Sequence, residues 1–247
     1  MKIIFYYVIF PLVRPFYLLF LIMNTFFLGS LIILISPLDP RGNLVHYIGK
    51  FWSWLNIAAA GCRVQVRGKE NLDPRKTYVV MSNHQSLFDV WALIATLPLQ
   101  VRWIIKIDLL RLPVFGYALK RMGHIYIDRT RGDKVRESLE RAASKIRGGT
   151  SVVLFPEGSR SEDGRLLKFR KGGFILARKT GFPILPVTIN GSRFVLPKNT
   201  LGLMPGRIEL IFESPIENPG TLPVDLLMKQ VEEKIRKGLN GSYGKLT

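Results

Sequence analysis

The sequence predicts an α/β fold: a largely parallel, mixed sheet covered by helices on both faces, preceded by an apolar two-helix segment. Three observations predict it. From residue 61 onward, short strand-like runs alternate with helix-period segments, the pattern of strands joined by crossover helices. Several of these runs, such as Val79–Met81 within TYVVM and Val152–Phe155 within SVVLF, are continuously apolar, as strands buried on both faces are. Before residue 61 the composition changes, and no charged residue occurs between Pro15 and Leu38.

Each element follows in order. Pro15–Ile35 supplies the roughly 20 apolar residues that a membrane span requires. The run is too long for a cleaved signal peptide, and no small-x-small site follows it. The Pro- and Gly-bearing stretch Ser36–Gly42 reads as a turn. Leu44–Ala60 carries His46, Lys50, Trp52 and Trp54 among apolar residues and reads as an amphipathic helix at headgroup level, where tryptophan is favoured. Residues 1–60 are therefore expected to form a membrane-attached segment, and 61–247 the α/β domain. The first helix crosses the bilayer, or the pair lies in one leaflet; the second is the expectation. In the domain, strands are expected at Arg63–Arg67, Thr77–Met81, Val101–Ile105, His124–Ile127, Ser151–Phe155, Ile184–Ile189 and Arg207–Phe212. Helices are expected at Ser86–Leu97 before Pro98, Val114–Met122 after Pro113, Asp133–Arg147 before two glycines, Gly173–Thr180 before Gly181, and Val224–Leu239.

The formal net charge is +18, and residues 101–180 hold much of the basic excess. Such an excess calls for a polyanionic partner: nucleic acid, anionic membrane or a phosphorylated substrate. The apolar N-terminus decides among them. A basic residue beside an anionic lipid surface contributes ~1 kcal/mol, so membrane and phosphate account for the charge and no nucleic-acid partner is expected. The single cysteine, Cys62, builds neither a disulfide framework nor a thiolate metal cluster. No metal-ligand spacing occurs, and no metal or resident cofactor is expected.

Sites in open α/β sheets form beyond the carboxyl ends of strands. Two unusual loops fall there: Ser82–Asp89 after one strand, and Pro156–Ser161 after another. His84 lies in the first loop, five residues before Asp89. On one helix the two side chains would diverge, so they meet only if His84 stays in the loop and Asp89 opens the helix. A carboxylate there can hold the imidazole in one tautomer and leave its other nitrogen as a base. The plain alternatives are that Asp89 only caps the helix, in a box with Ser86, and that His84 is a hydrogen-bonded loop residue.

Asn83-His84-Gln85-Ser86-Leu87-Phe88-Asp89 resembles the N-H-x4-D signature of the glycerolipid acyltransferases, and the chain is most similar to their bacterial lysophosphatidate-acylating members. Gly123-His124-Ile125-Tyr126-Ile127-Asp128-Arg129 resembles the second family block, Phe155-Pro156-Glu157-Gly158-Ser159-Arg160-Ser161 the third, and Leu185-Pro186-Val187-Thr188 the fourth. Order and spacing agree over about residues 60–200; Ser159 replaces the usual threonine and keeps its hydroxyl. The resemblance implies acyl transfer from a thioester of acyl carrier protein or coenzyme A to the sn-2 hydroxyl of lysophosphatidate, giving phosphatidate. It implies His84 and Asp89 as the catalytic pair, and Arg129, Arg160, Lys106 and Lys171 as phosphate-binding cations. Glu157, Gly158 and Ser159 would touch substrate or shape the loop, Glu157 doing either. The oxyanion donors would be backbone N–H groups near Ser159 or at the Ser86 helix start. The absence of a G-x-S-x-G elbow accords with direct transfer without an acyl-enzyme. Rival readings are a glycerol 3-phosphate or other lysophospholipid acyltransferase, a membrane-bound thioesterase with the same pair, and a basic non-catalytic membrane binder. The expected location is the cytoplasmic membrane, with the domain on its cytoplasmic side.

Overall fold

The computed structural model describes residues 10–128 and 132–244. In chain order the principal elements are α1 (Phe10–Ile35), α2 (Asn43–Ala59), β1 (Arg63–Arg67), β2 (Val79–Ser82), α3 (Phe88–Thr96), β3 (Val101–Lys106), α4 (Phe115–Arg121), β4 (Ile125–Ile127), α5 (Gly132–Arg147), β5 (Ser151–Leu154), α6 (Gly172–Thr180), β6 (Ile184–Asn190), α7 (Ser192–Val195), β7 (Arg207–Phe212) and α8 (Val224–Gly238). Every strand and helix expected in the domain is present, with boundaries shifted by no more than two residues.

The strands form one sheet in the order β1-β7-β6-β2-β5-β3-β4. Five of them, β6, β2, β5, β3 and β4, run parallel and end on one edge. β7 is antiparallel to β6 and parallel to β1, which makes the sheet mixed. Successive residues serve opposite faces. Val80, Val153 and Leu185 pack with Phe88 and Leu93 of α3, with Leu97 just beyond it, and with Ile57 of α2. Val79, Met81, Val152 and Ile184 pack with Ala142 and Ile146 of α5, Phe174 of α6 and Leu227, Val231 and Ile235 of α8. The strand cores are thus buried on both faces, as their unalternating sequences require.

The N-terminal pair docks on the domain. Leu12–Leu38 is long and apolar enough to cross a membrane. One side of α1 nevertheless faces protein: Arg14 Nε donates to the Leu203 carbonyl (3.3 Å), Asn24 Nδ2 to Asn56 Oδ1 (3.3 Å), and Ile32 packs with Val45, Ala118 and Met122. Trp52, expected at headgroup level, is instead an internal strut. Its Nε1 donates to Thr25 Oγ1 at 3.1 Å, and its ring meets Trp91 and Phe115. Trp54 takes the outward place and stacks on Phe51. Lys50, the charge in mid-helix, donates to the Leu97 carbonyl at the end of α3 (2.7 Å), a favourable position for a cation. Cys62 is buried where α2 gives way to β1, and burial pushes its thiol up to about 12.

Candidate active site

The edge where the five parallel strands end carries the site. Beyond β2, the Asn83 carboxamide brackets the main chain of one residue of β6, Ile189. Its oxygen accepts the Ile189 N–H (2.7 Å) and its nitrogen donates to the Ile189 carbonyl (2.8 Å). Ser86 Oγ donates to the Leu196 carbonyl at 2.8 Å. These bonds pin both ends of the short loop before α3. Asp89, in the first turn of α3, is fully buried. Its Oδ2 lies 2.8 Å from His84 Nδ1 and also accepts the N–H groups of Gln85 (2.6 Å) and Ser86 (2.8 Å). Capping and histidine contact are therefore functions of the same oxygen. With Nδ1 donating to the carboxylate, the lone pair of the neutral ring resides on Nε2.

The loop after β5 grips His84 from the other side. The His84 N–H donates to Glu157 Oε1 (2.7 Å), and the His84 carbonyl accepts the Ser161 N–H (2.7 Å). Glu157 Oε2 accepts the Leu167 N–H at 2.8 Å, so both carboxylate oxygens are engaged by the chain itself. Burial pushes Glu157 up to about 7; the N–H bonds from Leu167 and His84 oppose this, and the nearby Asp89 charge adds to it. Gly158 turns the loop at φ 76°, a conformation that strains any residue with a Cβ. The His84 ring stacks on Phe155, with centroids 3.8 Å apart and planes at 5°.

Arg160 is half-buried and Lys106 exposed at the end of β3. Neither has a hydrogen bond or ion pair within the described residues. Lys171 differs: its Nζ forms an exposed 2.8 Å ion pair with Asp225 at the start of α8. Ser159 is exposed, and Arg129 lies outside the described residues. The N–H groups of Gln85 and Ser86, candidate oxyanion donors, are spent on Asp89. The other two histidines are buried. Burial, aided by Arg102, pushes His46 down to about 4 and His124 down to about 3, so both are neutral at physiological pH.

Sequence reasoning passed over three residues of this arrangement. Asn83, Phe155 and Ser161 were visible only as members of the two blocks, and their partners are distant in sequence: Ile189 of β6 for Asn83, and His84 for Phe155 and Ser161.

A histidine held on a buried carboxylate at the edge where parallel strands end, near Arg160 and Lys106 that are unpaired among the described residues, is the kind of arrangement an α/β enzyme carries. The acyltransferase family model matches residues 63–190, and the chain belongs to that family. The 1-acyl-sn-glycerol-3-phosphate acyltransferase of Pseudomonas aeruginosa is 33% identical over 84% of this chain and 81% of its own length. The chloroplastic 1-acyl-sn-glycerol-3-phosphate acyltransferase BAT2 of Brassica napus is 34% identical over 81% of this chain. The chain spans a little over half the length of that relative, 57%. The crystal structure of the 1-acyl-sn-glycerophosphate acyltransferase PlsC from Thermotoga maritima matches with a TM-score of 0.81 at 27% identity, covering 92% of this chain and 93% of that one.

Proposed function

We propose that the chain is a membrane-attached O-acyltransferase that acylates the sn-2 hydroxyl of lysophosphatidate to give phosphatidate. The observation that carries this reading is the His84–Asp89 pair, built by the loop itself at the edge where Arg160 and Lys106 have no hydrogen bond or ion pair among the described residues. The names of the relatives from bacteria, plants and mammals supply the acceptor.

His84 Nε2 takes the proton of the glycerol hydroxyl as its oxygen attacks the thioester carbonyl carbon. Asp89 fixes the ring and stabilises the imidazolium. Collapse of the tetrahedral adduct breaks the C–S bond, and the departing sulfur takes the proton back from His84. No metal or resident cofactor takes part. With the Gln85 and Ser86 N–H groups occupied, the turn at Ser159–Arg160 is the candidate we favour for oxyanion donors. Arg160 offers the planar fork that suits phosphate oxygens. Lys106 adds a point charge, and Arg129, two residues beyond β4, is a further phosphate ligand. Lys171, already paired with Asp225, is the weakest of the four. The donor is a thioester of acyl carrier protein or coenzyme A.

The N-terminal pair attaches the enzyme to the cytoplasmic face of the membrane. Protein contacts run from Arg14 to Ile32, about 27 Å along α1. A bilayer-crossing orientation would draw the docked domain into hydrocarbon, so the pair lies in one leaflet. Outward-facing Phe16, Leu19, Phe26 and Phe27 of α1, with Tyr47, Phe51 and Trp54 of α2, are the residues that enter lipid.

Single-turnover reactions of purified protein in lipid, with lysophosphatidate and a labelled acyl thioester, test the reading. Phosphatidate should form, and His84→Ala should lower the rate by about 10²–10⁴ while the fold is retained. Release of free fatty acid alone would make the protein a hydrolase, and no reaction with either donor would defeat the acceptor assignment.

A further inference from the structure

We propose that Phe155 is a positioning residue that fixes the plane of the His84 imidazole, backed by Trp103. The hydrogen bond to Asp89 restrains Nδ1 but leaves the ring free to tilt about that contact, because the last torsion of histidine has broad wells. A tilt carries Nε2 away from the acceptor hydroxyl, and misplacement of a catalytic group is costly in rate. The Phe155 ring removes this freedom by lying parallel to the imidazole at 3.8 Å. Phe155 is itself held. It continues directly from β5, its carbonyl accepts the Gly158 N–H at 3.1 Å, and its ring packs at 42° and 5.5 Å on Trp103, a buried residue of β3. Trp103 and Val153 are paired across those two strands, so the wall behind the histidine belongs to the sheet.

The contact also changes during the reaction. A neutral imidazole gains ordinary stacking from Phe155, whereas the imidazolium formed after proton transfer is attracted to the ring's electron-rich face. An interaction that strengthens toward the transition state raises kcat. Asp89 and Glu157 are the ionisable groups in contact with His84. Asp89 meets the ring nitrogen and Glu157 the main-chain N–H, which leaves the ring face to Phe155.

Phe155→Leu keeps an apolar side chain of comparable bulk without a π face, and Phe155→Tyr restores the face. For Phe155→Leu, kcat should fall about tenfold while KM for lysophosphatidate stays within about twofold, and Phe155→Tyr should recover most of the loss. The kinetic comparison rests on the acyl-transfer reading, and a wild type that makes no phosphatidate defeats that reading. A second measurement does not depend on it. In protein labelled at its three histidines, the His84 ring C–H signals should lie upfield under the Phe155 ring current and return toward ordinary positions in Phe155→Leu. His84→Ala gives the assignment, and His46 and His124 serve as internal references. Unshifted His84 signals in the wild type, or an unchanged kcat in Phe155→Leu, would overturn the proposal. A rise in KM alone would overturn it too and make Phe155 a wall of the substrate site.

Discussion

Asp89 Oδ2 receives three donors, while Oδ1 is buried with no partner among the described residues. That lopsided arrangement explains how far single residues could be read from the sequence. Ser86 and Asp89 are close in sequence, so their capping relation was legible, and the position of His84 followed from helix geometry. The Glu157 clamp and the Phe155 stack were not legible, because they depend on β2 and β5 being neighbours in the sheet. The ion pair of Lys171 was not legible for the same reason, since Asp225 reaches it from a helix far along the chain. Two predictions belong at this scale. Arg160→Ala should raise KM for lysophosphatidate at least tenfold with kcat nearly unchanged, and the same substitution should not affect acylation of a phosphate-free monoacylglycerol. Glu157 gives a pH signature. Its carboxyl is raised from 4.5 to about 7, so the folded chain holds that proton more tightly than the unfolded chain does. The resulting stability is full below about pH 4.5 and is lost as pH rises through about 7. Thermal melts of Glu157→Gln should therefore lack a decline that the wild type shows across this window. Parallel pH dependences would refute it.

At the scale of elements, periodicity and punctuation located the strands and helices well, because each is flanked by a Gly or Pro boundary or an apolar run. Direction was another matter. The sequence around β6 and β7 contains nothing that specifies antiparallel pairing; the reversal comes from the path between Ser192 and Gly206, where α7 turns the chain back. The role of α2 was half legible. Its buried face holds Val45, Gly49, Ser53, Asn56 and Ile57, but its outer face is also apolar, so amphipathicity gave an incomplete account of it. The short helix α4 packs against α1 and α2, with Ala118 beside Ile32 and Val45, and Gly116 makes its entry possible. A Cβ there would lie 2.6 Å from the carbonyl oxygens of both Leu109 and Leu110, which are backbone atoms unable to swing aside. Gly116→Ala should destabilise the protein by about 1–3 kcal/mol. Calorimetry should show a melting temperature lowered by several degrees, and an unchanged value would contradict the tight packing.

For the whole molecule, the +18 charge and the apolar outer surface act together. Exposed charges are screened over about 10 Å at 0.1 M salt and about 3 Å at 1 M, whereas apolar insertion is not weakened by salt. Cosedimentation with anionic vesicles should weaken in high salt without vanishing. Phe51→Ser with Trp54→Ser should remove much of the remainder and leave thermal stability nearly unaltered, because both side chains are exposed. Retention of full vesicle binding by the double variant would move the contact surface elsewhere. Composition announced both halves of this behaviour, but the docked face of α1 required the folded chain.

The buried thiol at the junction of α2 and β1 makes the native protein a ready host for chemical probes. Cys62 is the sole cysteine, and its resistance to ionisation leaves it inert to thiol reagents near neutral pH. A reporter can therefore be attached at a cysteine introduced at Phe16, Ile22, Phe27 or Leu34 without first removing the native one. Quencher depth read from the four labels would be nearly uniform for a helix floating in one leaflet, and for one that crosses would be greatest at the middle labels and shallow at both ends.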